Sequence, residues 1–174
     1  MAAIIISLTA LTFTLYSFWW LNWRSGKILV GAPRTYAALV DKEALIIEVP
    51  LVLFNSGPKP ILVENLKLEI EGESEPLYFV ATVEKLGTDQ GRAFATQFPL
   101  HGNKAESLIC EFQRYPKGFV FTDKEYQLKL KALVNENKEW CCLKEFSLHV
   151  TDKDIETMNG KAFVVHENHK WYNV

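Results

Sequence analysis

Residues 126–134, YQLKLKALV, alternate apolar and polar side chains along almost their whole length. Successive side chains of a β-strand point to opposite faces, so this stretch predicts a strand with one buried and one solvated face. Such a strand is typical of an antiparallel sheet that covers a core on one side only. The apolar series is Tyr126, Leu128, Leu130, Ala132 and Val134.

Similar patterns lie on both sides of this stretch. Residues 44–54, ALIIEVPLVLF, are β-branched and apolar, and Pro50 within them predicts an edge position or a bulge. Residues 61–70 and 140–150 also alternate, although Lys144 breaks the second pattern and predicts a bulge near Cys142-Leu143. Shorter strand signals occupy residues 27–32, 36–40, 77–86 and 107–113.

Short strands at intervals of about ten residues, with turn signals between them, predict a β-sandwich. A barrel, or a sandwich with a C-terminal extension, is the alternative. Only residues 151–158 favour a helix after the N-terminal segment, with Thr151 as N-cap and Asp154 three residues on. Residues 162–165 are a candidate edge strand, and we expect the chain beyond them to be solvated.

The first twenty-three residues, MAAIIISLTALTFTLYSFWWLNW, contain no charged side chain. A helix of about 22 residues is about 33 Å long, which matches the 30 Å hydrocarbon core of a bilayer. A cleaved signal peptide is the alternative, but its basic n-region is missing and its candidate cleavage site, residues 30–32, lies beyond the first charges. We therefore predict a retained transmembrane helix. The residues predicted at the membrane interface are Trp19, Trp20, Trp23, Arg24 and Lys27.

Charge asymmetry predicts the orientation of this helix. No Lys or Arg precedes it, while Arg24, Lys27 and Arg34 follow it, so the positive-inside rule places the C-terminal domain on the cytoplasmic side. The predicted organisation is a transmembrane helix at 1–23, a juxtamembrane linker at 24–26, a β-sandwich domain at 27–150 and a C-terminal extension at 151–174.

Composition narrows the possible partners. The formal net charge is -2, with 19 basic and 21 acidic residues, so no nucleic-acid partner is indicated. The 3 cysteines include the adjacent pair Cys141-Cys142, which is not a disulfide framework. Because neighbouring strand residues face opposite ways, we expect one of this pair in the core and the other outside, and no metal chelation.

The remaining candidates for chemistry are weak. His166 and His169 have a spacing that suits a metal on a helix, but we expect them in a solvated tail. His101 and His149 lack a nucleophile motif. The run Glu69, Glu71, Glu73 and Glu75 lacks calcium-loop spacing. We predict no catalytic, cofactor or metal site, and a protein that is not an enzyme.

Two segments resemble immunoglobulin-like domains of bacteria. Residues 51–57, LVLFNSG, followed by 60–63, PILV, resemble their second and third strands, and residues 123–130, DKEYQLKL, resemble their tyrosine-corner strand, with Tyr126 at the corner. With the N-terminal helix, the chain also resembles single-pass bacterial membrane proteins of uncharacterised function. The resemblance implies an immunoglobulin-like antiparallel β-sandwich, with Leu128 where antibody domains place a cysteine, and it implies no activity.

The leading functional hypothesis is a non-enzymatic, membrane-tethered interaction or scaffolding module, whose partners are the lipid bilayer and a protein. Trp171 and Tyr172 are the candidate interaction residues, since aromatic side chains often anchor interfaces. Two alternatives stay open: a structural subunit of a membrane complex, and a membrane-bound metal-binding protein or enzyme. The second alternative would use His101, His149, His166 or His169.

Overall fold

The computed structural model describes residues 1–160 and 162–168, and it is mainly β. The two helices are α1 (Ala2–Asn22) and α2 (Asp152–Met158). The strands are β1 (Ile28–Val30), β2 (Thr35–Val40), β3 (Leu45–Asn55), β4 (Ile61–Ile70), β5 (Leu77–Val83), β6 (Ala93–Phe94), β7 (Phe98–Leu100), β8 (Ala105–Arg114), β9 (Lys124–Val134), β10 (Cys141–Val150) and β11 (Val165–Glu167).

The strands form one antiparallel sheet folded into two layers. The first layer has the order β10-β9-β4, with β7 also on β4. The second has the order β5-β8-β3-β2-β11, with β1 also on β3 and β6 on β5. The layers join where Lys67 and Leu68 of β4 pair with Tyr78 and Leu77 of β5. The predicted mainly β, sandwich-like class is confirmed.

One apolar core lies between the layers. Alternate residues of β9 face it, from Tyr126 at 4% exposure to the fully buried Ala132, as the alternating pattern predicts. Leu45, Ile47 and Val49 of β3 face it from the other layer. Burying a side chain of this size contributes about 1.5–3 kcal/mol, so the apolar face of each strand fixes its register.

The predicted bulge in β10 is confirmed, because its register against β9 shifts between Cys142 and Lys144. Pro50 forms no bulge, but it has a local edge on one side, so one of its two expected settings is found. It lies in β3, an inner strand, and pairs with Ile109 of β8 in an unbroken register. On its other side β3 pairs with β2 near its start and with β1 near its end, and Pro50 lies in the unpaired gap between them. A residue without an N–H donor loses no ladder bond at such a gap.

The end of the described chain packs against the sandwich. The predicted helix is present as α2, and the Asp154 carboxylate accepts hydrogen bonds from the N–H (3.0 Å) and hydroxyl (2.6 Å) of Thr151. β11 pairs antiparallel with β2, so the strand lies later than residues 162–165. The expectation that His166 is solvated is wrong, because this pairing buries it to 5% exposure.

α1 stands apart from the core, with 21 residues and no buried side chain. Its length and composition suit a membrane span, although an N-terminal signal sequence meets the same criterion. Its polar side chains bond back to carbonyls one turn earlier: Ser7 to Ala3, Thr9 to Ile5, Thr12 to Leu8 and Thr14 to Ala10, at 2.8–2.9 Å. Such bonds reduce the cost of placing hydroxyl groups in lipid.

Candidate functional site

The segment that leaves α1 lies at the same end of the sandwich as three turns. We call this end the junction end, and it comprises residues 24–27, the β3–β4 turn at 55–60, the β7–β8 turn at 101–104 and the β9–β10 turn at 135–140. The residues predicted at a membrane interface lie here or in the last turns of α1.

Residues 24–27 are bonded to the β3–β4 turn by four hydrogen bonds, which we call the junction clamp. In one of them the Ser56 hydroxyl donates to the Lys27 carbonyl at 3.1 Å. The Arg24 Nη2 group donates to the Ser56 carbonyl at 2.7 Å. The Lys27 N–H donates to the Ser56 hydroxyl at 2.9 Å, and the Ser56 N–H donates to the Lys27 carbonyl at 3.0 Å. The predicted linker residues therefore include a side chain, Arg24, that holds the domain close to the helix end.

Two glycines allow this close approach. A Cβ atom on Gly57 would lie 2.2 Å from the Gly26 backbone nitrogen, so neither position has room for a side chain. The buried Asn55 holds the turn in shape, because its amide donates to the carbonyls of Lys59 (2.7 Å) and Leu100 (3.1 Å). Its side-chain oxygen accepts from the Gly57 N–H at 3.0 Å.

Aromatic rings surround the end of α1. The Arg24 guanidinium lies 4.5 Å from the centre of the Trp20 ring, so one side chain contacts both the helix and the β3–β4 turn. Trp20 also packs against Tyr16 and Trp19, and Trp23 lies edge-on to Phe18. Trp171 and Tyr172, the predicted interaction residues, lie outside the described residues.

A cleft of about 430 Å³ opens at the junction end, and we call it the junction cleft. It lies between residues 25–28, the start of β4 and the start of β10. The exposed Lys27 and Lys59 line it together with Cys141 and Cys142. The expectation of one core and one outward cysteine is wrong, since both are exposed. β10 begins at Cys141 on the outer edge of its layer and bulges directly afterwards, so the alternation is broken there.

The structure separates the candidate histidines. The His166 Nδ1 atom lies 2.8 Å from Asp154 Oδ1, and its ring lies against Tyr36. Burial would raise the pKa of Asp154, but hydrogen bonds from Thr151 and His166 outweigh it and hold that pKa below its usual value. His101 is exposed in a junction-end turn, and His149 lies 3.7 Å from Glu125. His169 lies outside the described residues.

Three glutamates of the acidic run form ion pairs. Glu69 bonds to Lys67 (2.9 Å) and Lys131 (2.7 Å), and Glu73 bonds to Arg114 at 2.6 Å. Glu75 pairs with Lys117. Within residues 1–160 and 162–168, no three His, Cys, Asp or Glu side chains are grouped so that they could hold a metal ion.

A buried polar cluster, not predicted from the sequence, lies on the outer face of the second layer. Glu48 and Glu111 are cross-strand partners, at 1% and 3% exposure. Glu48 accepts from the Gly87 N–H at 2.7 Å, and both carboxylate oxygens of Glu111 accept from Arg92 at 3.0 Å. Burial, with a smaller contribution from Glu111, raises the pKa of Glu48 to about 7. The sequence signal for this cluster was Glu48 itself, the one charged residue in the apolar run 44–54.

These features define a mainly β domain joined directly to an N-terminal apolar helix. No protein-family model and no curated protein matches the chain. A crystal structure of a protein from Archaeoglobus fulgidus is similar at TM-score 0.38 and 10% identity, covering 70% of this chain and 98% of that one. The protein ycdA of Bacillus subtilis, which carries a provisional lipoprotein description, is similar at TM-score 0.44 and 15% identity, covering 78% of this chain but only 41% of that one. Similarities this low assign neither a family nor an activity.

Proposed function

We propose that this chain is a single-pass membrane protein whose β-sandwich is fixed at the bilayer surface as an interaction or scaffolding module. The junction clamp is the observation that carries the proposal. A free tether would let the domain turn in all directions, whereas Arg24 and Lys27 hold the β3–β4 turn against the end of α1. The domain would then present the same surfaces to a partner at a fixed height.

The position of β1 favours a retained helix over a cleaved signal peptide. Cleavage after the candidate site at residues 30–32 would remove β1 together with α1. β1 pairs with β3, and Val30 belongs to the core, so the mature chain would lose part of its fold. The tryptophans beside Arg24 also favour a helix end at the headgroup layer.

An immunoglobulin-like topology is part of this proposal. The layer β10-β9-β4 corresponds to strands G, F and C of a constant-type domain, and β2-β3-β8-β5 corresponds to A, B, E and D. The Tyr126 hydroxyl accepts a hydrogen bond from the Thr122 N–H at 2.9 Å, the type of contact made in a tyrosine corner. Folds of this kind host many functions, so the topology supports a module and names no activity.

The membrane assignment is tested by extracting membranes with alkaline carbonate and by fusing reporters after Val174. We expect the chain to remain in the pellet, and a cytoplasmic fluorescent reporter to be active. Release into the supernatant would contradict the anchor. Alkaline phosphatase activity from the fusion would contradict the cytoplasmic orientation and leave the anchor standing.

The interaction role is tested by cross-linking the full chain in native membranes. We expect a defined protein partner to be recovered from the full chain and not from α1 fused to an unrelated domain. The Gly57→Ala variant should remain in the membrane but yield less of the cross-linked product, because it opens the clamp. Equal recovery from α1 alone would contradict a role for the sandwich.

A further inference from the structure

We propose that the junction cleft binds the phosphate group of an anionic phospholipid. The inference rests on the proposed anchoring of α1 in a bilayer. It adds a ligand and a binding site to that proposal.

The clamp places the cleft at headgroup depth. Arg24 comes two residues after α1 ends at Asn22, which is about 3 Å of helical rise. The polar layer on each side of a bilayer is about 5–8 Å thick. Ser56, bonded to Arg24, therefore lies in or beside that layer, and Lys59 of the same turn lines the cleft.

The charges of the cleft favour an anion. Lys27 and Lys59 line it, no Asp or Glu is among its described lining residues, and neither lysine forms an ion pair with a described residue. A lysine ammonium group offers three donors and binds phosphate as a compact charge. Two such groups beside one cleft can neutralise one phosphate.

The rest of the lining suits a lipid. The side-chain oxygen of Asn135 accepts from the Leu62 N–H at 2.9 Å, which leaves its NH₂ group as a further donor at the cleft. Ile28, Ile61 and Leu143 supply apolar surface for the glycerol and upper acyl carbons. The volume of about 430 Å³ is within the range of about 300–1,000 Å³ typical of small-molecule sites.

The test uses the full chain in phosphatidylcholine nanodiscs that contain a photoactivatable phosphatidic acid. Cross-linked peptides are located by mass spectrometry. We expect cross-links on residues 25–28, 59–61 or 141–143. The variant Lys27→Ala/Lys59→Ala should bind about fivefold more weakly per lysine removed. The variant Lys104→Ala/Lys138→Ala is the matched control, since it removes the same charge from the junction end without altering the lining of the cleft.

Each other outcome overturns the inference. An equal loss in both double variants would show diffuse attraction to an anionic surface and no site. Inorganic phosphate that binds the detergent-solubilised chain through Lys27 and Lys59, and displaces the lipid, would assign the cleft to a soluble phosphate compound. Carbonate extraction of the native membranes separates the two proposals: a chain that stays in the membrane pellet but gives no cleft cross-links in nanodiscs overturns the lipid site alone.

Discussion

At the scale of single residues, Glu48 carries a carboxyl group and is buried to 1% exposure. It faces away from the apolar core, yet the β5–β6 connection covers it through the Gly87 N–H. Glu111 lies opposite and is neutralised by Arg92, so the cluster holds two carboxylates and one cation. Burying a second negative charge here is unfavourable, which is why the Glu48 pKa is raised to about 7.

The Glu48→Gln substitution should remove a pH dependence of stability. The folded-state pKa of about 7 exceeds the ordinary 4.5, so the folded state binds more protons between these values and stability falls as pH rises from about 4.5 to 7. The loss is complete above pH 7 and is at most about 3 kcal/mol, since one pKa unit is about 1.4 kcal/mol.

Urea unfolding of the full chain in mild detergent at pH 5 and pH 8 measures this effect. We expect the free energy of unfolding of the native chain to fall from pH 5 to pH 8 by more than that of the variant. Glu106→Gln, an exposed position on β8, is the control and should leave the difference unchanged. A native chain with equal stability at both pH values would contradict the prediction.

The Tyr126→Phe substitution should destabilise the sandwich by about 1–2 kcal/mol, because the Thr122 N–H loses its acceptor beside the core. The ring stays, so the packing of Tyr126 against Phe121 is kept. Thermal unfolding gives the difference. Tyr115→Phe is the control, since Tyr115 is 64% exposed. Equal effects of the two substitutions would refute a role for the Tyr126 hydroxyl.

At the scale of secondary-structure elements, the position of the sandwich relative to α1 is set by a turn between strands and not by the strands themselves. β3 and β4 follow from their apolar patterns, but the turn between them also receives the segment that leaves α1. Asn55, Gly57 and Gly26 make this possible, one through its amide bonds and two through their missing side chains.

The Gly57→Ala substitution should open the junction clamp, because the added Cβ would lie 2.2 Å from Gly26. Limited trypsin digestion should then cut after Arg24 and Lys27 several-fold faster than in the native chain. Gly31→Ala is the matched control, since nothing lies within 4 Å of a Cβ at that position. Unchanged cleavage in the Gly57 variant would contradict the clamp.

At the scale of the whole molecule, we expect the sandwich to be stable without α1, although the junction clamp holds the two together. α1 contributes no buried side chain, while β1 supplies Val30 to the core. Two truncations distinguish these roles. Residues 24–174 should fold without α1, and their melting temperature should match that of the full chain within about 4 °C.

Residues 31–174 should melt about 3–12 °C lower than residues 24–174, because burying a valine contributes about 1.5–3 kcal/mol and each kcal/mol shifts the midpoint by about 2–4 °C. Circular dichroism in identical buffer measures both truncations. Equal melting temperatures would contradict the assignment of β1 to the fold, and aggregation of 24–174 would contradict its independence from α1.

The sequence by itself determined the parts that depend on local pattern. These are the alternation of β9, the bulge after Cys142, the α2 start at Thr151 and the long apolar helix, because side-chain period and capping chemistry act within a few residues. Only the tertiary structure decided which segments meet. The pairing of β11 with β2 buries His166, the Glu48 cluster forms between β3 and β8, and Arg24 reaches Ser56, so each contact joins residues that are distant in the chain. Both adjacent cysteines are exposed because β10 is at the edge of its layer. The residues next to each of these positions in the sequence do not indicate which distant residue it contacts. Those contacts depend on the strand order of the sheet and on which turns lie close together.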